Sequence, residues 1–329
     1  MIIKHIPEDF VVNEVIELKL VKNKTNYVIF KLVKKNWDSF KIIQTLARVL
    51  NIKPKFIGFA GNKDKQAITT QLISFYKISK ERIEKIKIND VRLEFQGYSS
   101  ERINLGDLKG NEFVIVVRNL NKESELPSNI ILENYFDNQR FGNKQNTHLV
   151  GKAIVKKNFK EACNLLNLNV INNDYIGELR KQQRRLLRFY LSSYQSYLFN
   201  KILSKYLEKN KHFVIESAIG SLNVTDEKVK NFKIPLIGFD VKFSKDITEI
   251  AESLFLEEGI LVSDFIIKAL PELLTESAYR PAFIRVRNII YKFEKDEVYN
   301  NKLKCIISFF LPKGSYATLL IKKLERYLN

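Results

Sequence analysis

Hydrophobic and polar positions alternate with period two through most of the first 120 residues, and the alternation is interrupted by one clear helical stretch. DFVVNEVIEL (9–18) and NYVIFKLVKK (26–35) read as strands enriched in β-branched and aromatic residues. SFKIIQTLARVLN (39–51) spaces its apolar residues three and four apart behind Asp38 or Ser39 as cap, which predicts an amphipathic helix. A loop at GFAGNKDKQAITTQ (58–71) follows, then a strand ending near Tyr76, a helix at SKERIEKI (79–86), and strands at VRLEFQGYS (91–99) and GNEFVIVVRNL (110–120). Connections this short suit hairpins and an α/β or α+β fold rather than a doubly wound parallel sheet.

From about residue 145 the pattern becomes mainly helical, with candidates at 147–168, 178–208, 245–258 and 261–274. Strands return at AFIRVRNIIYKF (282–293) and KLKCIISFFLP (302–312), and a helix starts after GSYATLLIKKL begins at Gly314. A chain that runs strand-rich, helical and strand-rich again predicts one discontinuous domain, 1–144 and 277–329, interrupted by an inserted domain at 145–276. Neither an internal repeat nor a Pro/Gly-rich linker marks the junctions.

Length and composition narrow the function. At 329 residues the chain suggests about two domains. Cys163 and Cys305 are far apart and lack a CxxC partner, which leaves no disulfide framework or cysteine zinc site and fits a reducing cytoplasm. His5, His148 and His212 have no metal-ligand spacing, so no metal is expected. No apolar run approaches the roughly 18 residues of a membrane span, and IIKHIPEDF is not a signal peptide. The expectation is a soluble cytoplasmic protein.

The formal charge of +18 points to a polyanionic partner, although a lysine-rich genome bias explains part of it equally well. The excess is uneven: residues 1–145 carry +8, residues 146–276 only +3, and residues 277–329 +7. Within the poorly charged middle, Lys181, Arg184, Arg185 and Arg188 follow i, i+3, i+4, i+7 and would share one helical face. Arg280, Arg285 and Arg287 cluster near Tyr279. Arginine forks match phosphate, and Asp174 and Glu178 are too few to neutralise the stripe; a solvated face is the competing explanation.

Two short segments could carry chemistry. Ala60-Gly61-Asn62-Lys63-Asp64-Lys65 sets an aspartate between lysines in a turn, a way to hold an ionised carboxylate at a cleft edge; read alone it is an ordinary β-turn. Lys109-Gly110-Asn111-Glu112-Phe113 leads into a strand, so that Asn111 and Phe113 face the same side and could offer amide recognition and stacking to an extracted base. A turn followed by a core Phe is the alternative, and Phe10 has the same ambiguity. No GxxxxGK[ST], G-x-G-x-x-G or complete NKxD is present, so no nucleotide or dinucleotide cofactor is indicated.

Taken together, the segments resemble the TruD family of pseudouridine synthases from end to end. The similarity is carried by IKHIPEDFVVNE (3–14), FAGNKDKQAITTQ (59–71), LKGNEFVIVVR (108–118), NYFDNQRFG (134–142), YLSSYQSYLFN (190–200) and FLPKGSYAT (310–318), and it is poorest between about 205 and 275. The resemblance implies a catalytic domain around a central antiparallel sheet, a mainly helical insertion, and tRNA as substrate, with uridine 13 of the D arm as the expected target. It implies no cofactor and no obligate protein partner. It makes Asp64 the essential aspartate, as nucleophile or base. Lys4 is then the candidate for its cation, with Lys63 and Lys65 as local alternatives, and Phe10, Asn111, Phe113 and Tyr316 are the candidate uracil contacts. Arg140, with Gln139, would organise the site or contact phosphate, as would Lys181, Arg184, Arg185, Arg188 and Arg280. Gln195 and Asn200 are as readily helix-packing residues. A non-catalytic RNA-binding or RNA-folding protein on the same scaffold is the competing reading, which retention of Asp64 disfavours.

Overall fold

A computed structural model describes residues 1–328. The chain opens with β1 (Phe10–Ile16), β2 (Tyr27–Lys35), α1 (Ser39–Val49), β3 (Ile57–Phe59), β4 (Ile68–Tyr76), α2 (Lys80–Glu84), β5 (Val91–Ser99) and β6 (Leu108–Leu120). It continues through β7 (Ile131–Glu133), α3 (Thr147–Val155), α4 (Phe159–Leu165), α5 (Tyr175–Arg180), α6 (Arg184–Leu207), β8 (Phe213–Ser217), β9 (Gly220–Val224), β10 (Lys233–Leu236), α7 (Thr248–Glu258), β11 (Ala278–Pro281) and β12 (Phe283–Arg285). It ends with β13 (Arg287–Lys295), β14 (Leu303–Pro312) and α8 (Ala317–Leu328).

Two compact units divide these elements. The first comprises residues 1–129, 285–317 and 324–329, and the second residues 130–284 and 318–323. The junctions fall near 130 and 285 rather than at 145 and 277. The cause is local: Asn134 N bonds to Ala282 O at 2.8 Å, and short β7 and β12 pair, which draws both flanks into the second unit.

In the first unit an eight-stranded sheet runs β13-β14-β6-β1-β4-β2-β5, with β3 on β4. Every pair in it is antiparallel except β1 with β4. The sequence builds one sheet face at a time. Val28, Phe30 and Leu32 of β2 and Ile73 and Phe75 of β4 bury against Ile42, Ile43, Leu46 and Ala47 of α1. Such a large side chain contributes about 1.5–3 kcal/mol when fully buried. Asp38 caps α1 by accepting from Lys41 N at 2.9 Å, and the helix stops where Asn51 turns left-handed at φ 51°.

The second unit is built on α6, whose Leu187, Leu191, Tyr194, Leu198, Phe199, Ile202 and Leu203 are all buried. Gly151 lets α3 approach it: an added Cβ would lie 2.2 Å from Tyr190 O. Several expected helices are corrected here. The 147–168 stretch breaks at Lys157, which is left-handed at φ 58°, with Asn158 capping α4. The 178–208 stretch breaks at Gln183, so Lys181 sits on the C-cap of α5 and does not share the helix of Arg184, Arg185 and Arg188. Residues 261–274 form two 3-10 turns, one closed by Asp264 accepting from Leu261 N, the other opened by Pro271. Strands β8–β10 lie in the region expected to be mainly helical.

Candidate active site

The carboxylate of Asp64 stands on the loop between β3 and β4, and that loop is tied down from several directions. Lys63 turns inward and its Nζ lies 2.5 Å from Glu14 of β1, both side chains being buried. Burial pushes the Glu14 carboxyl up, against the opposing pull of Lys63 and a bond from Leu72 N. Ser39, at the start of α1, accepts from Lys63 N at 2.9 Å, and Gln71 donates to Gly61 O at 3.4 Å. Lys34 of β2 donates to Asp64 O at 3.2 Å and to Trp37 O at 2.5 Å.

With Lys63 committed to Glu14 and Lys65 exposed, the candidate cation that meets Asp64 is Lys4, whose Nζ lies 3.0 Å from Oδ2. Lys4 reaches it from a left-handed backbone at φ 56°, a conformation that costs energy in a non-glycine residue and has to be imposed by its surroundings. Arg118 of β6 anchors the chain on either side of Lys4. Its backbone pairs with Ile2 at 2.8 and 3.1 Å, and its guanidinium grips Asp9 by three bonds of 2.8–3.0 Å while also reaching Asp296 at 2.8 Å and Glu297 at 3.0 Å. Asp9 in turn accepts from Ile6 N at 3.2 Å. The segment carrying Lys4 is thus clamped on both sides.

Register brings the aromatic and amide residues to the same sheet face. Phe10 and Glu14 of β1 share parity with Val12, which lies opposite Phe113 on β6, while Glu14 lies opposite Asn111. Lys4 Nζ sits 4.0 Å from the Phe10 ring centroid, a cation–π contact, so that one face of this ring is a platform for the ammonium. Phe10 meets Phe113 edge-on at 6.1 Å, and Phe113 stacks on Phe309 of β14 at 5.3 Å. Asn111 Oδ1 is buried without a hydrogen-bond partner. Tyr316 is half-buried in the turn after β14, where Lys313 N bonds to Lys109 O. Among the described residues no cluster of three or more His, Cys, Asp or Glu is arranged to hold a metal ion.

A sequence profile of the family described as tRNA pseudouridine synthase D (TruD) matches residues 1–173 and 165–324. A Methanosarcina barkeri protein named "Probable tRNA pseudouridine synthase D" is 31% identical over 96% of this chain and 91% of its own length. The chain belongs to the TruD family. A Methanocaldococcus jannaschii protein named "Probable tRNA pseudouridine synthase D 2" is also 31% identical, over 96% of this chain and 90% of its own. The crystal structure of a TruD protein from Methanosarcina mazei superposes with a TM-score of 0.73 at 28% identity, covering 99% of this chain and 93% of that one. Membership makes the chain a pseudouridine synthase, an isomerase.

The remaining candidates of this TruD chain lie in its second unit and have distinct surroundings. Arg140 and Arg280 hold their guanidinium groups 5.5 and 4.1 Å from the Phe136 ring centroid, and Arg280 bonds to Asn134 O and Oδ1 at 2.9 and 2.6 Å. Arg140 Nε bonds to Ser196 Oγ at 3.0 Å. Both thus take part in packing. Gln195 donates to Ile237 O, and Asn200 brackets the backbone of Phe136 at 2.8 Å on both its amide atoms, which gives these two amides a helix-packing role. Lys181 pairs with Glu178 at 2.5 Å. Arg184 and Arg188 instead bond to the neutral carbonyl of Glu272, so their positive charge stays uncompensated by that contact. Sequence reasoning missed Glu14, Lys34, Asp9 and Arg118. The available signal was a charge at an inward parity position in the first two and a lone charge ending the apolar run of β6 in Arg118; Asp9, beside Glu8, carried none.

Proposed function

We propose that this chain converts a uridine of tRNA, at position 13 in the D arm, to pseudouridine, with Asp64 as the reacting carboxylate. In that isomerisation the N1–C1′ bond of the nucleoside breaks and a C5–C1′ bond forms. The C5 hydrogen leaves as a proton and N1 takes one up, so the atoms and electrons balance within the substrate.

The observation that carries this reading is the assembly of Lys4, Asp64, Phe10, Phe113 and Asn111 from three separate stretches of chain. A carboxylate hydrogen-bonded to an ammonium can act on C1′ or on a neighbouring proton while the ammonium balances its charge in a cleft emptied of water. Asn111 is assigned the amide contact to the uracil, and Phe113 and Tyr316 the aromatic surface that retains the detached base. Phe10 acts mainly by holding Lys4.

Phosphate contacts are assigned to Arg184, Arg185 and Arg188, with Arg140, Arg280 and Lys181 as lesser contributors. Three arginines lie in the first five residues of α6, at the positive end of the helix dipole, where an approaching anion is stabilised. The enzyme is placed in the cytoplasm with tRNA as its macromolecular partner.

Tritium release from tRNA transcripts labelled at uridine C5 tests the proposal. Wild type should release tritium, with pseudouridine mapping to one D-arm position, and Asp64→Asn should release none while binding tRNA with wild-type affinity. Tight tRNA binding by wild type without release would refute the enzyme reading; release by Asp64→Asn would refute the residue assignment.

A further inference from the structure

Lys34 is a costly residue in a place where an apolar one would fill the same space. It lies on β2 at the parity of Val28, Phe30 and Leu32, directly opposite Thr69 of β4, and its relative exposure is 0%. Its Nζ donates to two neutral acceptors, the backbone carbonyls of Trp37 and Asp64. Burial pulls its pKa down to about 8; the nearby Asp38 and Asp64 carboxylates oppose this and Lys63 adds to it.

The two carbonyls belong to separate segments. Trp37 precedes α1, and Asp64 lies in the loop after β3. Ser39 reinforces the junction through Lys63 N. Lys34 therefore joins the start of α1 to the backbone of the residue whose carboxylate meets Lys4. With no accessible surface and its bonds given to main-chain carbonyls, its Nζ is placed to orient and not to exchange protons with substrate.

We propose that Lys34 is a positioning residue for the reaction: its buried amine fixes the backbone of Asp64 and thereby the direction in which the carboxylate leaves the loop. This rests on Asp64 as the reacting carboxylate. Misplacement of a reacting group by about 1 Å costs on the order of 100-fold in rate, and that is the size of effect the geometry assigns to losing this tether.

The test uses Lys34→Met, close in volume, and Lys34→Ala, which leaves room for an added alkylammonium ion. For Lys34→Met the expected result is a kcat about 100-fold lower, with tRNA Kd and KM within about threefold of wild type and Tm within about 5 °C. Lys34→Ala should lose kcat similarly and regain it with added propylammonium but not with tetramethylammonium. A kcat within about threefold of wild type in Lys34→Met overturns the proposal. So does a failure of both variants to fold, a parallel loss of tRNA binding, or an absence of propylammonium rescue, since each makes Lys34 a general support of the fold. Asp64→Asn, assayed alongside, separates the two assignments. If it is active the Asp64 reading fails, whereas if it is inert and Lys34→Met is fully active only the Lys34 inference fails.

Discussion

Arg118→Met removes one guanidinium and leaves its partners in place, which makes it the sharpest probe of how the site is held. Arg118 is 2% exposed, Asp9 0% and Asp296 8%, so the substitution strands two carboxylates that water barely reaches. Breaking a buried ion pair by removing one partner costs about 3–5 kcal/mol, and the methionine returns only part of the lost packing. The cost should depend on pH. Glu297 is held down at about 2, chiefly by its bond from Arg118 and then by Lys304. Burial alone would raise Asp296, but bonds from Asn119 N, Val298 N and Arg118 outweigh it and hold its carboxyl below the ordinary value. Folded-state values below the unfolded ones stabilise the protein above the unfolded pKa, and that contribution is lost as pH falls through the folded one. The gap between wild type and variant should therefore be full at pH 7 and shrink from about pH 4.5 toward pH 2. Urea unfolding of both proteins at pH 7 and pH 3 measures it. A gap under about 1 kcal/mol at pH 7, or one of equal size at pH 3, would refute the clamp.

Three further outcomes are expected. Glu14→Leu should cost about 3–5 kcal/mol in urea unfolding by stranding Lys63, and Glu14→Leu with Lys63→Met should recover most of it; a double variant no better than the single would show that the pair is not what matters. Lys34 is lowered from 10.5 to about 8, so between these values the unfolded chain binds one more proton and stability should rise with pH. Relative to Lys34→Met the full rise is about 3 kcal/mol, and equal slopes in the two proteins would contradict it. Arg184→Ala with Arg185→Ala should reduce the slope of log affinity for tRNA against log salt by about 0.7–0.9 for each phosphate that the pair neutralises; an unchanged slope would remove these residues from the RNA interface.

The strands and the helix of the first 120 residues were legible because each carries an uninterrupted period and a recognisable stop. Of the two candidate caps, Asp38 is the one that caps α1, and Ser39 begins the helix. The helices of the second unit were read too long, because the breaks at Lys157 and Gln183 depend on one left-handed residue and one uncapped turn, neither of which disturbs the apolar period. The hairpin of β8 and β9 was hidden by its length, five residues on each side of a two-residue connection. Asp64 could be singled out from its motif, but its supports could not. In VIFKLVKK three lysines look alike until the parity of the strand places Lys34 inward, and in IKHIPEDF nothing local says that Asp9 will meet an arginine over a hundred residues away.

The supports of the site differ in how far apart along the chain their members lie. The loop of Asp64 is fixed by bonds spanning 24, 30 and 49 residues, to Ser39, Lys34 and Glu14. Lys4 is fixed through Arg118, whose bonds span 109 residues to Asp9 and 178 to Asp296. A chain growing from its N-terminus therefore has these anchors of the acid to hand early, and the Asp9–Arg118 bonds that hold the Lys4 segment by residue 118; only Asp296 and Glu297 come from near the end. The clamp on the lysine segment thus draws on both ends of the chain, and its two outer carboxylates are the last of these supports to be made.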